Sequence, residues 1–162
     1  MIANVRVDDR LLHGQVTQGW VPALGIKMIV VLSERVCCDA MAQMVMKMGA
    51  PQDLALEFRR PTELGHDWGQ LTQRKESVMI LTDKLDQLDA AMEAGAVPET
   101  VTLGNVHAPD AELALTRTVE CSASQLTILR RWLKRGSRLE IRSGVHDKPE
   151  PLESHPCLAS NP

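Results

Sequence analysis

Met28-Ile29-Val30-Val31-Leu32 is an unbroken aliphatic run of five residues, and the fold can be read outward from it. It is too short for a helix of ordinary length and lacks the apolar–polar alternation of a strand with one wet face. With Ile26 and Lys27 before it, it reads as a strand over residues 26–32, buried on both faces, which belongs in a sheet covered on both sides. Val78-Met79-Ile80-Leu81-Thr82 has the same character, and residues 2–7, 54–58, 101–103 and 139–141 supply further strand-like runs. Residues 116–120 alternate and could add one short strand.

Amphipathic segments separate these runs. Residues 14–24 are one helix candidate, and residues from about 36 to 48 are a clearer one, with Met41, Met44, Val45 and Met48 at i, i+3, i+4 and i+7. That stripe reads as core packing. Asp83 is placed to cap a helix through Leu85, Leu88, Ala91 and Met92 that Gly95 stops. Ser122 and Gln125 form a capping-box pattern before a helix carrying Leu126, Leu129, Trp132 and Leu133 and ending at Gly136. Strand and helix in turn predict an α/β fold, an open and mostly parallel central sheet of about six or seven strands with helices on both faces. Residues 1–143 form a single domain on this reading, and 144–162 form a Pro-rich tail that is wrapped or frayed.

Composition narrows the function. The 162 residues carry a formal net charge of −3, and aromatic residues make up 2% of them, with no Tyr and one Phe. A nucleic-acid binder normally shows a basic excess and stacking aromatics, so nucleic acid is not expected as a partner. No run approaches the roughly 20 apolar residues of a membrane span, and no signal peptide is visible. Cys37 and Cys38 are adjacent, and Cys121 and Cys157 are isolated, so neither a redox C-x-x-C pair nor a zinc spacing is present. The four read as small apolar residues in a reducing compartment, and no metal or cofactor is expected. There is also no P-loop and no G-x-G-x-x-G.

Open α/β sheets bind ligands beyond the carboxyl ends of their strands. The exit of the first strand, Asp8-Asp9-Arg10-Leu11-Leu12-His13-Gly14-Gln15, is the most chemically equipped. A neutral imidazole at His13 is a nitrogen nucleophile. Arg10 offers a planar fork for phosphate oxygens. If Gly14 opens the next helix, its first amides form an anion cradle that a side chain would not obstruct. Asp8 or Asp9 could hold the imidazole in one tautomer or pin Arg10. Thr82 and Asn105, at the ends of the fourth and fifth strands, are candidate phosphate donors.

The string Arg6-Val7-Asp8-Asp9-Arg10-Leu11-Leu12-His13-Gly14-Gln15-Val16, followed by Trp20, closely resembles the active-site segment of the IIB components of the mannose/fructose/sorbose family of the bacterial phosphoenolpyruvate-dependent sugar phosphotransferase system. Ala50-Pro51, and Gly95-Ala96-Val97-Pro98 leading into Val101-Thr102-Leu103-Gly104-Asn105-Val106-His107, also look like the family, so the likeness covers roughly residues 1–143. The resemblance implies that His13 takes a phosphoryl group, on Nδ1, from a phosphohistidine of a IIA partner and gives it to a sugar presented by membrane IIC and IID components. Arg10 matches the arginine that neutralises the phosphate. It also implies a cytoplasmic protein held at the membrane through its partners, and a possible homo-oligomer. Asp8, Asp9, Gly14, Gln15, Thr82 and Asn105 would bind or orient the phosphate.

Two other readings remain open at this point. A IIB homologue could serve regulation rather than uptake. A receiver-like signalling module would need an aspartate after the third strand and a lysine after the fifth, where this chain has Arg59-Arg60 and Gly104-Asn105. His107 reads as structural in the Gly104 turn, and Trp20 as core. His66, His146 and His155 read as loop or tail residues without chemistry, and Arg59 and Arg60 as a solvated pair able to assist docking.

Overall fold

The computed structural model describes residues 1–159. Met28–Leu32 is the strand β2, and each of its residues is buried. Around it lie β1 (Ile2–Asp8), β3 (Ala55–Arg59), β4 (Val78–Thr82), β5 (Thr100–Asn105), β8 (Arg138–Ile141) and β9 (Glu150–Pro151), and a hairpin of β6 (Leu113–Ala114) with β7 (Glu120–Cys121) stands apart. The central sheet runs β3-β2-β4-β1-β5-β8-β9. All its pairings are parallel except the last, in which β9 returns antiparallel to β8. The predicted architecture is thus the observed one.

Helices cover both faces. On one face α4 (Pro61–Thr72), α5 (Leu85–Glu93) and α6 (Ala123–Lys134) bury Leu64, Trp68, Leu88, Leu129 and Trp132 against Val5, Val7, Ile80 and Val101. On the other face α1 is a π-helical turn, Gln15–Trp20, that runs on as the α-helical Val21–Ala23. It packs Val16 and Trp20, while α2 (Glu34–Cys37) and α3 (Ala40–Gly49) pack Val36, Ala42 and Met46, against Ile29, Val31, Met79 and Leu81. The capping box at Ser122 and Gln125 is present: the Gln125 amide donates to Ser122 Oγ, and the Ser122 amide donates to Gln125 Oε1.

This arrangement positions a site. From β1 the chain leaves onto the α1 face, whereas from its neighbours β4 and β5 it leaves toward α5 and α6 on the opposite face. Connections that diverge around one strand end open a crevice there, and ligands collect in such crevices. The end of β1 is Asp8.

Several local expectations differ from the structure. The helix expected from about residue 36 to 48 is two helices, because Ser33 caps α2 and Asp39, two residues after its end, caps α3 by accepting from Ala42 N at 2.9 Å. Met41, Met44, Val45 and Met48 are exposed, not core. Helical spacing shows that a stripe exists but not which way it faces. Since α3 lies over the sheet edge made by β3, Ala42 and Met46 suffice for its inner face. Asp83 caps nothing: Lys84 holds the N-cap of α5, and the Asp83 carboxylate instead accepts from Ser33 Oγ at 3.3 Å and lies 3.5 Å from Arg35. His66 lies in α4, not in a loop. No strand spans residues 116–120 as expected: residues 116–118 form the bend between β6 and β7, Val119 makes an isolated bridge to Val106, and only Glu120 lies in β7. In the tail, Leu152 is buried in the core beneath a short 3₁₀ turn, Leu152–Ser154, that precedes α7 (Pro156–Ala159).

Candidate functional site

Asp8 is the hub. Its carboxylate is fully buried and accepts from two arginines that flank it at a spacing of two residues on either side. Arg6 donates to Oδ2 from Nε at 3.2 Å and from Nη2 at 2.8 Å. Arg10 donates to Oδ1 from its backbone N–H at 3.3 Å and from Nε at 3.0 Å, and to Oδ2 from Nη2 at 3.1 Å. A buried carboxylate survives only when paired and hydrogen-bonded, and Asp8 has five such donors. The Asp8 hydrogen bond holds the Arg10 guanidinium above its ordinary value. Burial pushes Arg6 down, and the charge of Asp8 opposes it.

His13 stands on the same hub. Leu11 adopts φ +54°, the only positive φ of a non-glycine residue in the described chain. The conformation costs about 1–2 kcal/mol for an L-residue. It is held because the Leu11 side chain is buried beside Val16 and Trp20 and its amide donates to the Asp8 carbonyl at 2.9 Å. Its own carbonyl is thereby aimed at His13 Nδ1, 2.7 Å away. A ring nitrogen so close to a carbonyl oxygen is the protonated one, so Nε2 carries the lone pair. Nε2 is buried, has no hydrogen-bond partner among the described residues, and lies 3.8 Å from Asp8 Oδ2.

Beneath the hub, Arg6 is enclosed on all sides. Nη1 donates to the Arg142 carbonyl at 2.9 Å and Nη2 to the Ser143 carbonyl at 3.0 Å. The guanidinium carbon lies 4.9 Å from the centre of a Trp20 ring, and that of Arg142 lies 5.1 Å from it. Across the sheet is Gly104, where any Cβ would fall inside the Arg6 guanidinium. Glycine there is a requirement of close approach.

The remaining candidates divide. Gln15 joins the hub, its Oε1 accepting from Arg10 Nη2 at 3.1 Å. Gly14 is the N-cap of α1, with open space where a Cβ would point. The Val16 and Thr17 amides turn back to the His13 carbonyl at 2.9 and 3.0 Å, which sets the first turn directly behind His13. A π-turn is a frequent companion of functional sites. Asp9 serves neither His13 nor Arg10: its Oδ1 accepts from Asn105 Nδ2 at 2.5 Å and its Oδ2 from His107 Nδ1 at 3.0 Å. Asn105 and His107 therefore belong to a neighbouring cluster on Asp9. The Thr82 hydroxyl is fully buried and spent on Lys84, donating to its carbonyl at 3.3 Å and accepting from its amide at 3.4 Å.

Sequence reasoning passed over Arg6, Leu11, Gly104 and the carbonyls of Arg142 and Ser143. Arg6 carried a signal, since a lone arginine in an otherwise apolar central strand must find a carboxylate, and Asp8 lies two residues on along the same face of the strand. The carbonyls carried none, because they belong to the backbone of a segment far along the chain.

Residues 2–161 match the sequence profile of the family described as PTS system sorbose subfamily IIB component. A fructose-specific EIIB component of Bacillus subtilis is 22% identical over 149 residues, covering 92% of this chain and 91% of the relative. A probable phosphotransferase enzyme IIB component of Streptococcus pyogenes is 30% identical over 108 residues, 65% of each chain. The mannose-specific EIIAB component of Escherichia coli is 22% identical over 142 residues, and the chain spans 44% of its length. Among solved structures, the N-acetylgalactosamine-specific IIB component 1 of Escherichia coli superposes with a TM-score of 0.85 at 24% identity, over 93% of this chain and 98% of that one. The IIB domain of the sorbose permease of Klebsiella pneumoniae gives 0.83 at 21%, over 93% and 92%. With the profile running through the strand, hub and tail alike, the chain belongs to the family of PTS system sorbose subfamily IIB components.

Proposed function

We propose that this chain is a phosphocarrier: His13 accepts a phosphoryl group from a phosphohistidine on a IIA partner and passes it to a sugar hydroxyl presented by membrane IIC and IID components. The observation that carries the reading is that Arg10, bonded to the buried Asp8 carboxylate, and His13, held by the Leu11 carbonyl with Nε2 3.8 Å from Asp8 Oδ2, meet at the switch point of the sheet. A nucleophile and a phosphate clamp fixed side by side are positioned relative to each other, and phosphoryl transfer is mostly positioning and charge compensation.

In the resting geometry Nδ1–H is held by the Leu11 carbonyl and Nε2 is bare. Acceptance through Nδ1, as in the family, requires the ring to leave that carbonyl and the proton to reside on Nε2, which lies 3.8 Å from Asp8 Oδ2. The phosphorus–nitrogen bond of the donor then breaks as the new one forms on His13. Arg10, 41% exposed at its side chain, keeps Nη1 clear of the Asp8 and Gln15 bonds and can meet phosphate oxygens. Of the first amides of α1, those of Val16 and Thr17 are spent on the His13 carbonyl, so the expected anion cradle is reduced to the Gln15 N–H, which can add one donor. In the second step the sugar oxygen bonds to phosphorus as the phosphorus–nitrogen bond to His13 breaks, the hydroxyl proton passes to solvent, and the imidazole, still protonated on Nε2, leaves neutral. The chain would work in the cytoplasm and at the membrane through its partners, and no helix of the described residues is long and apolar enough to cross one.

The test is phosphopeptide mapping after incubation with phosphoenolpyruvate and the upstream phosphorelay. Acid-labile, base-stable label is expected on the peptide holding His13, and normal labelling of His13→Ala would refute the proposal. Arg10→Ala is expected to fold and to transfer about 100-fold more slowly or worse, the scale of losing one charge-stabilising donor.

A further inference from the structure

The segment after β8 is tied into the hub rather than draped over it. Besides the two carbonyls that hold Arg6, Arg142 donates from Nε to the Asp147 carbonyl at 2.9 Å and from Nη2 to the Val145 carbonyl. The Gly144 amide donates to Asp147 Oδ2 at 2.6 Å, and the hydroxyls of Ser143 and Thr118 share a hydrogen bond of 3.1 Å. Val145 packs into the cluster that contains Leu11, Val16 and Trp20. Residues 142–147 thus form a closed turn in which the carbonyls of Arg142 and Ser143 hold the buried Arg6 guanidinium, and those of Val145 and Asp147 hold the half-buried Arg142 guanidinium.

We propose that this turn and Arg6 act as one positioning device for phosphoryl transfer: the turn's carbonyls fix the Arg6 guanidinium, Arg6 fixes Asp8, and Asp8 sets where Arg10 stands beside His13. Geometry supports the chain of action. Arg6 is planar, and its four bonds point in two directions, toward Asp8 on one side and toward the 142–143 carbonyls on the other. Trp20 and Gly104 confine it between them. A guanidinium so bounded cannot turn without dragging Asp8 Oδ2, the oxygen that also receives Arg10 Nη2 and faces His13 Nε2. A misplacement of about 1 Å at a reacting pair can cost about 100-fold in rate. The inference rests on the phosphocarrier reading, and it makes Arg6 and the turn positioning elements, since neither touches the reacting atoms.

The test uses the full chain with the phosphorylated IIA donor in single-turnover transfer. It compares Arg142→Met and Asp147→Ala, which loosen the turn from its exposed side, with Arg6→Lys, which keeps the charge but loses the fork. All are measured well below their own Tm. The two turn variants are expected to keep the half-saturating donor concentration within twofold while the maximal rate falls about three- to tenfold, and Arg6→Lys to fall about 100-fold. A structural role alone would lower Tm and leave the maximal rate of the folded protein unchanged. Turn variants that transfer at the wild-type rate, with faster hydrogen exchange at the Gly144 amide showing the turn is open, would overturn the proposal, and so would a loss confined to the half-saturating concentration. Should Arg6→Lys fail to fold, the turn variants decide alone. Wild-type protein labelled elsewhere than on His13 would instead sink the phosphocarrier reading itself.

Discussion

Replacing Gly104 by Ala adds one methyl group and should be among the most damaging small substitutions in the chain. The new Cβ would overlap Arg6 Nη2 and Cζ and lie 2.8 Å from Nε. A clash with the far end of a long side chain is normally relieved by swinging it away. Arg6 has no such freedom, because it is 0% exposed and its guanidinium makes four hydrogen bonds, two to Asp8 and two to backbone carbonyls. Displacing it breaks a buried ion pair, at about 3–5 kcal/mol. Removing a glycine from a strand returns about 0.5–1 kcal/mol. The net loss is about 2–4 kcal/mol, which for a domain of this size lowers Tm by roughly 5–15 °C. Thermal unfolding followed by circular dichroism reads it directly. A double-mutant cycle with Arg6→Met isolates the cause, since the methyl group should cost far less once the guanidinium is gone. A Gly104→Ala protein within about 1 kcal/mol of wild type would show that Arg6 is not held as described, and an equal cost in the Arg6→Met background would place the damage elsewhere.

Two further outcomes follow from burial. Leu152→Ala should cost about 2–5 kcal/mol in denaturant unfolding, as for a core leucine, because Leu152 is 1% exposed within the main cluster; an unchanged midpoint would detach the C-terminal segment from the core. The Cys121 thiol, pushed by burial from 9.0 to about 11, keeps its proton in the folded chain while the unfolded chain loses it. Stability is therefore unaffected by this group below pH 9 and falls between pH 9 and 11, by about 2–3 kcal/mol in all. Urea titrations at the two ends of that window should show the loss in wild type and its absence in Cys121→Ala, and an equal loss in both would assign it to other groups.

The parallel sheet was legible because β2 and β4 are buried on both faces, so that apolar content alone distinguishes them. By contrast α4 escaped notice: Pro61, Gly65 and Gly69 interrupt a segment whose Leu64, Trp68 and Leu71 carry the helical spacing, and the signals of a breaker and of a first-turn proline look alike in a single sequence. The cap of that helix, Arg60 N–H to Glu63 Oε2 at 2.9 Å, uses a side chain that composition cannot tell from surface charge.

At the site, His13, Arg10 and Gln15 were readable because they are consecutive turns of one local motif. Asp8 and Asp9 were indistinguishable by sequence. They differ only in where β1 ends: Asp8 still points with Arg6 into the α1 face, while Asp9 reaches Asn105 and His107 on β5 and beyond it. Backbone conformation was wholly hidden, and so the Leu11 carbonyl that grips His13 had no signature.

The placement of β1 between β4 and β5 also governs how the protein comes into being. During synthesis the residues of the hub emerge before their surroundings: the strands that flank them end at residues 82 and 105, and the carbonyls that hold Arg6 come only at 142 and 143. A nascent chain therefore exposes an unpaired first strand and a charged, unanchored loop until those segments are made. Long-range parallel pairing is slow and leaves such edges open to wrong partners. The histidine gains its surroundings only once residues 142 and 143 have been made, so a product ended before them would carry the motif without the chemistry.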